Sequence, residues 1–112
     1  MFNDPGVRLM PFARNVHFQL KNGKEREFTA LFENEVLPLL RKQAGFREYF
    51  TLIRPKHVLG ISIWDDQKSA EKFQTTAYPT MLAKLGPTLD GVPKVETYDI
   101  TSSRHFTAVR SS

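Results

Sequence analysis

Between Phe12 and Ile100 the spacing of apolar residues changes period in an order that few folds can satisfy. Phe12, Val16, Phe18 and Leu20 alternate with Ala13, Asn15, His17 and Gln19, the two-residue period of a strand. Asn22-Gly23 then turns the chain, and residues 24–44 shift to helical spacing, with Phe28, Leu31, Phe32, Val36, Leu39 and Leu40 on one stripe. Pro38 has no N–H and crowds the carbonyl of Asn34, which predicts a kink in that helix. Gly45 is placed to end it as a left-handed cap, with Phe46 as the apolar follower.

Phe46 to Arg54 is rich in aromatic and β-branched residues and reads as a second strand. Arg54-Pro55-Lys56-His57 makes a tight connection to a third strand, Val58 to Trp64, which is apolar enough for burial on both faces. Asp65 or Asp66 caps a second helix carrying Ala70, Phe73 and Ala77. Tyr78-Pro79 breaks or bends it, Met81, Leu82 and Leu85 resume a short apolar turn, and Lys94 to Ile100 forms a fourth strand.

The order is therefore βαββαβ, an α+β domain of ferredoxin-like plan with a four-stranded antiparallel sheet over residues 12–100, an arm over 1–11 and a tail over 101–112. Right-handed crossovers set both helices on one face of the sheet. The second and third strands nonetheless carry apolar residues on the other face as well, so that face wants a partner. A second copy of the same sheet is the plainest one, which predicts a homodimer with the open faces together, a dimeric α+β barrel.

Composition narrows the functional classes. A chain of 112 residues with 40% hydrophobic and 25% charged residues is one globular domain. No apolar run reaches membrane-spanning length, the first residues lack the pattern of a secretory leader, and there is no Cys, so a reducing cytoplasm is the expected location. The net charge of +4 is scattered: residues 1–23, 46–64 and 101–112 each hold +2 and residues 90–100 hold −2, which describes a solvated surface better than a phosphate-tracking patch. The third strand also lacks the aromatics on which an RNA-recognition sheet stacks bases, so no nucleic-acid partner is expected. His17, His57 and His105 show no metal-ligand spacing, and neither a P-loop nor a nucleophile elbow is present.

Three stretches carry a family resemblance over about residues 12–100: the first strand with Asn15, the helix end Leu39-Leu40-Arg41-Lys42-Gln43-Ala44-Gly45-Phe46, and the passage Ile63-Trp64-Asp65-Asp66 into the second helix. On these the chain resembles the antibiotic-biosynthesis-monooxygenase-like branch of the dimeric α+β barrels. The resemblance implies a small oxidative enzyme, or a binding relative of one. Members include cofactor-free monooxygenases of polyketide-like aromatic substrates, quinol oxygenases, haem-degrading enzymes and stress-responsive proteins. The haem-degrading members use an Asn on the first strand with a Trp and a His on the second helix. Asn15 matches the first, but Phe73 stands in the Trp slot and Ala83 near the His slot, so neither haem nor another cofactor is expected.

The candidate catalytic residues are Asn15, Trp64 and His17. An Asn amide can donate to an oxyanion, which is what a substrate deprotonated for reaction with oxygen requires. Antiparallel pairing brings Asn15 toward the sheet end that holds Trp64, Tyr98 and Asp99. An imidazole is the side chain suited to proton transfer near neutral pH, which makes His17 the best-placed base, and Trp64 is a pocket donor or wall. Phe73, Tyr78 and Tyr49 are candidate walls for a small apolar or aromatic molecule. Each residue also has a plainer structural reading: Asn15 and His17 on a wetted strand face, Trp64 and the tyrosines as core. A one-residue error in strand parity would exchange these roles.

Overall fold

The computed structural model describes residues 10–102. Four strands, β1 (Phe12–Gln19), β2 (Phe46–Arg54), β3 (His57–Trp64) and β4 (Lys94–Asp99), form one antiparallel sheet in the order β2-β3-β1-β4. The helices are α1 (Glu25–Leu31), α2 (Leu37–Arg41), α3 (Gln67–Thr76) and α4 (Tyr78–Leu85). The βαββαβ order is as expected, and the arm and tail lie largely outside the described residues.

β1 is the central organiser because it pairs with both β3 and β4 and supplies Phe12, Val16, Phe18 and, just beyond it, Leu20 to the core. Phe28 of α1 is fully buried, with its ring 5.2 Å from that of Phe18 and 6.1 Å from Phe32. Trp64 and Val58 of β3 are also fully buried, and the Trp64 ring lies 4.9 Å from Phe73 of α3. Aromatic pairs at these separations add attraction beyond the area they remove from water.

The kink predicted at Pro38 takes a definite form. α1 passes into α2 through a π-helical turn, Phe32–Val36, in which the Leu37 N–H bonds the Phe32 carbonyl five residues back. The extra residue in that turn puts Pro38 in the first turn of α2, where a missing N–H breaks no bond. The helical run ends at Arg41, capped by Lys42, rather than at Ala44; Gly45 (φ 82°) does adopt the left-handed conformation, three residues further on. A Cβ on Gly45 would collide with the Ser69 side chain, so the glycine also lets the start of α3 approach the chain entering β2.

Two further details differ from the sequence expectation. The stretch around Met81, Leu82 and Leu85 is a two-turn helix, α4, rather than a short turn, because Pro79 falls in its first turn. β3 is also not uniformly buried in the single chain: Val58, Gly60, Ser62 and Trp64 are buried, while Leu59, Ile61 and Ile63 are only partly buried on the face away from the helices. On that open face Phe50 pairs across with Ile61 and Leu52 with Leu59, and Phe50, Leu52 and Tyr98 are each about half exposed. Among the described residues no helix is long and apolar enough to cross a membrane.

Candidate functional site

The helix-covered face of the sheet encloses a small cleft, and its chemistry is set by one row of residues across three strands. Arg14 of β1 is opposite Ser62 of β3, which is opposite Tyr49 of β2. All three point under the helices. Arg14 is only 3% exposed, although it is charged. Its Nη2 donates to Gln74 Oε1 on α3, and its guanidinium carbon lies 4.9 Å from the Phe73 ring centre and 4.5 Å from that of Tyr78. Among the described residues no carboxylate forms an ion pair with it. Burial lowers its pKa, opposed by the neighbouring oxygens of Tyr78 and Tyr49.

The two tyrosines complete the polar set. Burial pushes the Tyr49 phenol up, offset in part by Thr51 and by the Arg14 charge. Tyr78 is raised by burial too, again against the pull of Arg14, and its buried hydroxyl lies beside the Arg14 guanidinium without forming a well-aligned hydrogen bond to it or to any other described residue. Ser62 is occupied: its Oγ accepts the Trp64 Nε1–H at 2.8 Å, both groups being buried. The remaining walls are apolar, chiefly Phe32, Val36, Phe73 and Leu82.

The cleft is small. Its free volume is about 30 Å³, room for one or two waters and far less than an aromatic ring needs. Its roof, however, is built where helical bonding is already interrupted: Phe32 and Val36 belong to the π-turn, and Tyr78 starts α4 at the break after Ala77. Single π-turns of this kind occur frequently at functional sites.

Of the residues singled out from the sequence, the structure brings Phe73, Tyr78 and Tyr49 to this cleft, with Trp64 behind Ser62 and Phe73. It does not bring Asn15 and His17 there. Both lie on the opposite face of β1, where Asn15 is flanked by Ile61 and Glu96, and His17 Nε2 is 3.0 Å from Glu96 Oε1. The His17 ring is 5.6 Å from that of His57, and the contact with His17 holds the Glu96 carboxyl below its usual pKa. The residue that sequence reasoning missed is Arg14. The signal was its parity: it shares the inward phase of β1 with Phe12, Val16 and Phe18, the one charge on that face. Among the described residues no three His, Asp or Glu side chains gather where they would hold a metal ion.

A βαββαβ sheet with a cleft of this kind beneath its helices defines a class of small ferredoxin-like α+β domains. The family is fixed by sequence: residues 11–80 match the model of the antibiotic biosynthesis monooxygenase family, and the chain belongs to it. No curated protein sequence matches the chain. Among solved structures, a protein of unknown function from Nitrosomonas europaea is similar at TM-score 0.72 and 16% identity, over 91% of this chain and 100% of that one. SnoaB, a cofactor-independent oxygenase from Streptomyces nogalater, is similar at TM-score 0.68 and 13% identity, over 87% of this chain and 96% of its own. A conserved protein from Methanosarcina mazei reaches TM-score 0.66 at 19% identity, over 80% and 92% of the two chains. At these identities the likeness is one of fold.

Proposed function

We propose that this protein is a cofactor-independent monooxygenase of a small aromatic, polyketide-like or quinol-like substrate bound in the cleft between helices and sheet. The observation that carries the reading is the cleft itself, an apolar enclosure into which a buried cation and an unpartnered Tyr78 hydroxyl converge. Family membership and the fold shared with SnoaB support it. Chemistry of this type asks the protein for a dry pocket and donors aimed at a developing oxyanion. A substrate with an activated CH₂ next to an acidic enol loses a proton to water, and the resulting carbanion reduces O₂. Carbon gains one oxygen as C=O, and the second leaves as water with the two hydrogens of the CH₂. In this reading Trp64, Phe73, Tyr78 and Tyr49 are walls, and Asn15 and His17 belong to the opposite face of β1.

That opposite face is where a second copy would dock. Phe50, Leu52 and Tyr98 are about half exposed there beside partly buried Leu59, Ile61 and Ile63, an apolar surface suited to a two-fold sheet-on-sheet homodimer. The test of function is oxygen uptake by the metal-free protein with a panel of anthrones and hydroquinones, corrected for their unaided oxidation. Uptake above background that is lost in Leu82→Trp, which fills the cleft, supports the enzyme. No uptake across the panel favours the second reading, a dimeric barrel that binds a small apolar ligand without reaction against the same apolar walls.

A further inference from the structure

We propose that Arg14 and Tyr78 form a binding site for a single anionic oxygen, so that the cleft takes phenol- and enol-type ligands as their conjugate bases. The inference rests on the reading of the cleft as the substrate site and adds the charge state in which the substrate binds. A guanidinium has five N–H donors. Here one is given to Gln74 Oε1, and the group otherwise faces the rings of Phe73 and Tyr78 and lies beside the Tyr78 hydroxyl. The groups packed around it from β2, β3, α3 and α4 are Tyr49, Ser62, Gln74, Phe73 and Tyr78, none of them a carboxylate. A cation 3% exposed with no counter-charge among the described residues is incomplete without a negative partner.

The Tyr78 hydroxyl supplies the second half of the site. It lines the same cavity, is out of reach of water and donates to nothing described. An oxygen lodged between it and Arg14 would satisfy both. The free volume of about 30 Å³ accommodates such an atom, and the ring behind it would lie against Phe32 and Leu82 once the π-turn yields. The site suits one oxygen and one charge. A carboxylate would bring a second oxygen, and phosphate three more, into a free volume of only about 30 Å³ bounded on its other sides by apolar walls. Because an opposite charge within hydrogen-bonding reach favours the ionised form, the bound ligand's hydroxyl should ionise at a pH about one to three units below its value in water.

The experiment uses 4-nitrophenol, whose anion is coloured and whose neutral form is not, at a pH where the free dye is mostly neutral. Adding wild-type protein is expected to develop the anion colour, with acid dissociation of the bound dye strengthened at least about tenfold. Arg14→Met should abolish the shift while still binding 4-nitroanisole, which cannot ionise, as tightly as wild type. Tyr78→Phe should lessen the shift several-fold, and it decides the matter if Arg14→Met does not fold. Failure of the dye to bind overturns the proposal, as does ionisation of bound dye at the same pH in wild type and variants. Displacement of the dye by benzoate at lower concentration than by unlabelled phenol would assign the site to carboxylates instead and also overturn it. The outcome is separable from the oxygenase reading: a colour shift without oxygen uptake leaves the anion site standing, and uptake indifferent to Arg14→Met with no shift leaves only the oxygenase.

Discussion

The hydroxyl of Tyr49 occupies the space in which a side chain on Gly60 would begin. A Cβ at position 60 would collide with that oxygen and would sit 3.1 Å from the Tyr49 Cζ and 3.3 Å from a Phe18 ring carbon. Gly60 is thus what allows Tyr49, two residues along the partner strand from its own pairing position, to lie over β3 and stack on Phe32 at 4.6 Å. Gly60→Ala is expected to destabilise the fold by about 1–3 kcal/mol, the usual range for overpacking. Adding Tyr49→Phe removes the colliding oxygen and should restore a large part of the loss, a coupling that urea unfolding of the four proteins would read. Simple additivity would show that the two residues do not share the space.

Ser62 holds the indole of Trp64 through a buried bond of 2.8 Å from Nε1 to Oγ. Ser62→Ala leaves that donor buried with nothing to bond, which costs about 1–3 kcal/mol. The chain has one Trp, so its fluorescence maximum reports directly on the change. A loss under about 0.5 kcal/mol with unchanged emission would mean that the bond contributes no net stability.

Arg14 invites the opposite expectation. Replacing a buried charge that has no oppositely charged partner with an apolar side chain of similar length removes a desolvation cost of several kcal/mol. Arg14→Met keeps the stem against Phe73 and Tyr78, and Gln74, being exposed, can turn to water. The variant should therefore unfold at the same or a higher urea concentration than wild type. A loss above about 1 kcal/mol would mark the guanidinium as a structural group rather than one retained for a ligand.

The sequence made the sheet and its open apolar face legible because strand alternation and helical stripes record which side of each element is wet. It was less informative wherever backbone geometry departs from those two periods. The π-turn at Phe32–Val36 and the bulge between Phe46 and Glu48 each insert a residue without changing composition, so periodicity marked neither, and only Pro38 predicted a kink at the first. Pro79 and Pro38 both read as breaks, yet both stand in first turns of helices, where proline is tolerated. The cleft was half legible: Trp64, Phe73, Tyr78 and Tyr49 are conspicuous as large residues, and Arg14 is not. Weighing polar residues by type led to Asn15 and His17, whereas parity along β1 places Arg14 alone among them under the helices.

Asp66 begins α3 by accepting the Ser69 backbone N–H on its Oδ1 at 2.8 Å, and this bond holds its carboxyl below the ordinary aspartate value of 3.8. A folded-state pKa that is depressed adds stability at pH values above the unfolded pKa, and the contribution is lost as pH falls through the folded one. Asp66→Ala should cost about 1 kcal/mol at neutral pH, the value of a helix N-cap. The gap between wild type and variant should then narrow below pH 3.8. Asp66→Asn, which caps without a charge, should keep most of the stability at pH 7 and show no such narrowing. A gap that stays constant down to full protonation would disconnect the carboxylate from the start of α3.

The open sheet face makes the last prediction the one on which the assembly depends. Phe50 is 50% and Leu52 51% exposed in the single chain, on the edge strand and directly across from Ile61 and Leu59. In a two-fold dimer each substitution acts twice, once from each copy. Burying one Leu or Phe side chain is worth about 1.5–3 kcal/mol, so removing it from both copies weakens association by about 3 kcal/mol or more, over a hundredfold in the dissociation constant. A lysine would add the cost of bringing two like charges together at the interface. Leu52→Lys should therefore sediment as a monomer at concentrations where wild type is a dimer, with unchanged far-ultraviolet circular dichroism because Leu52 makes no part of the helix-covered core. Gln74→Lys, on the helix side of the sheet, should leave the dimer intact. Wild-type protein that sediments as a monomer at high concentration would remove the barrel arrangement and leave the apolar face to some other partner.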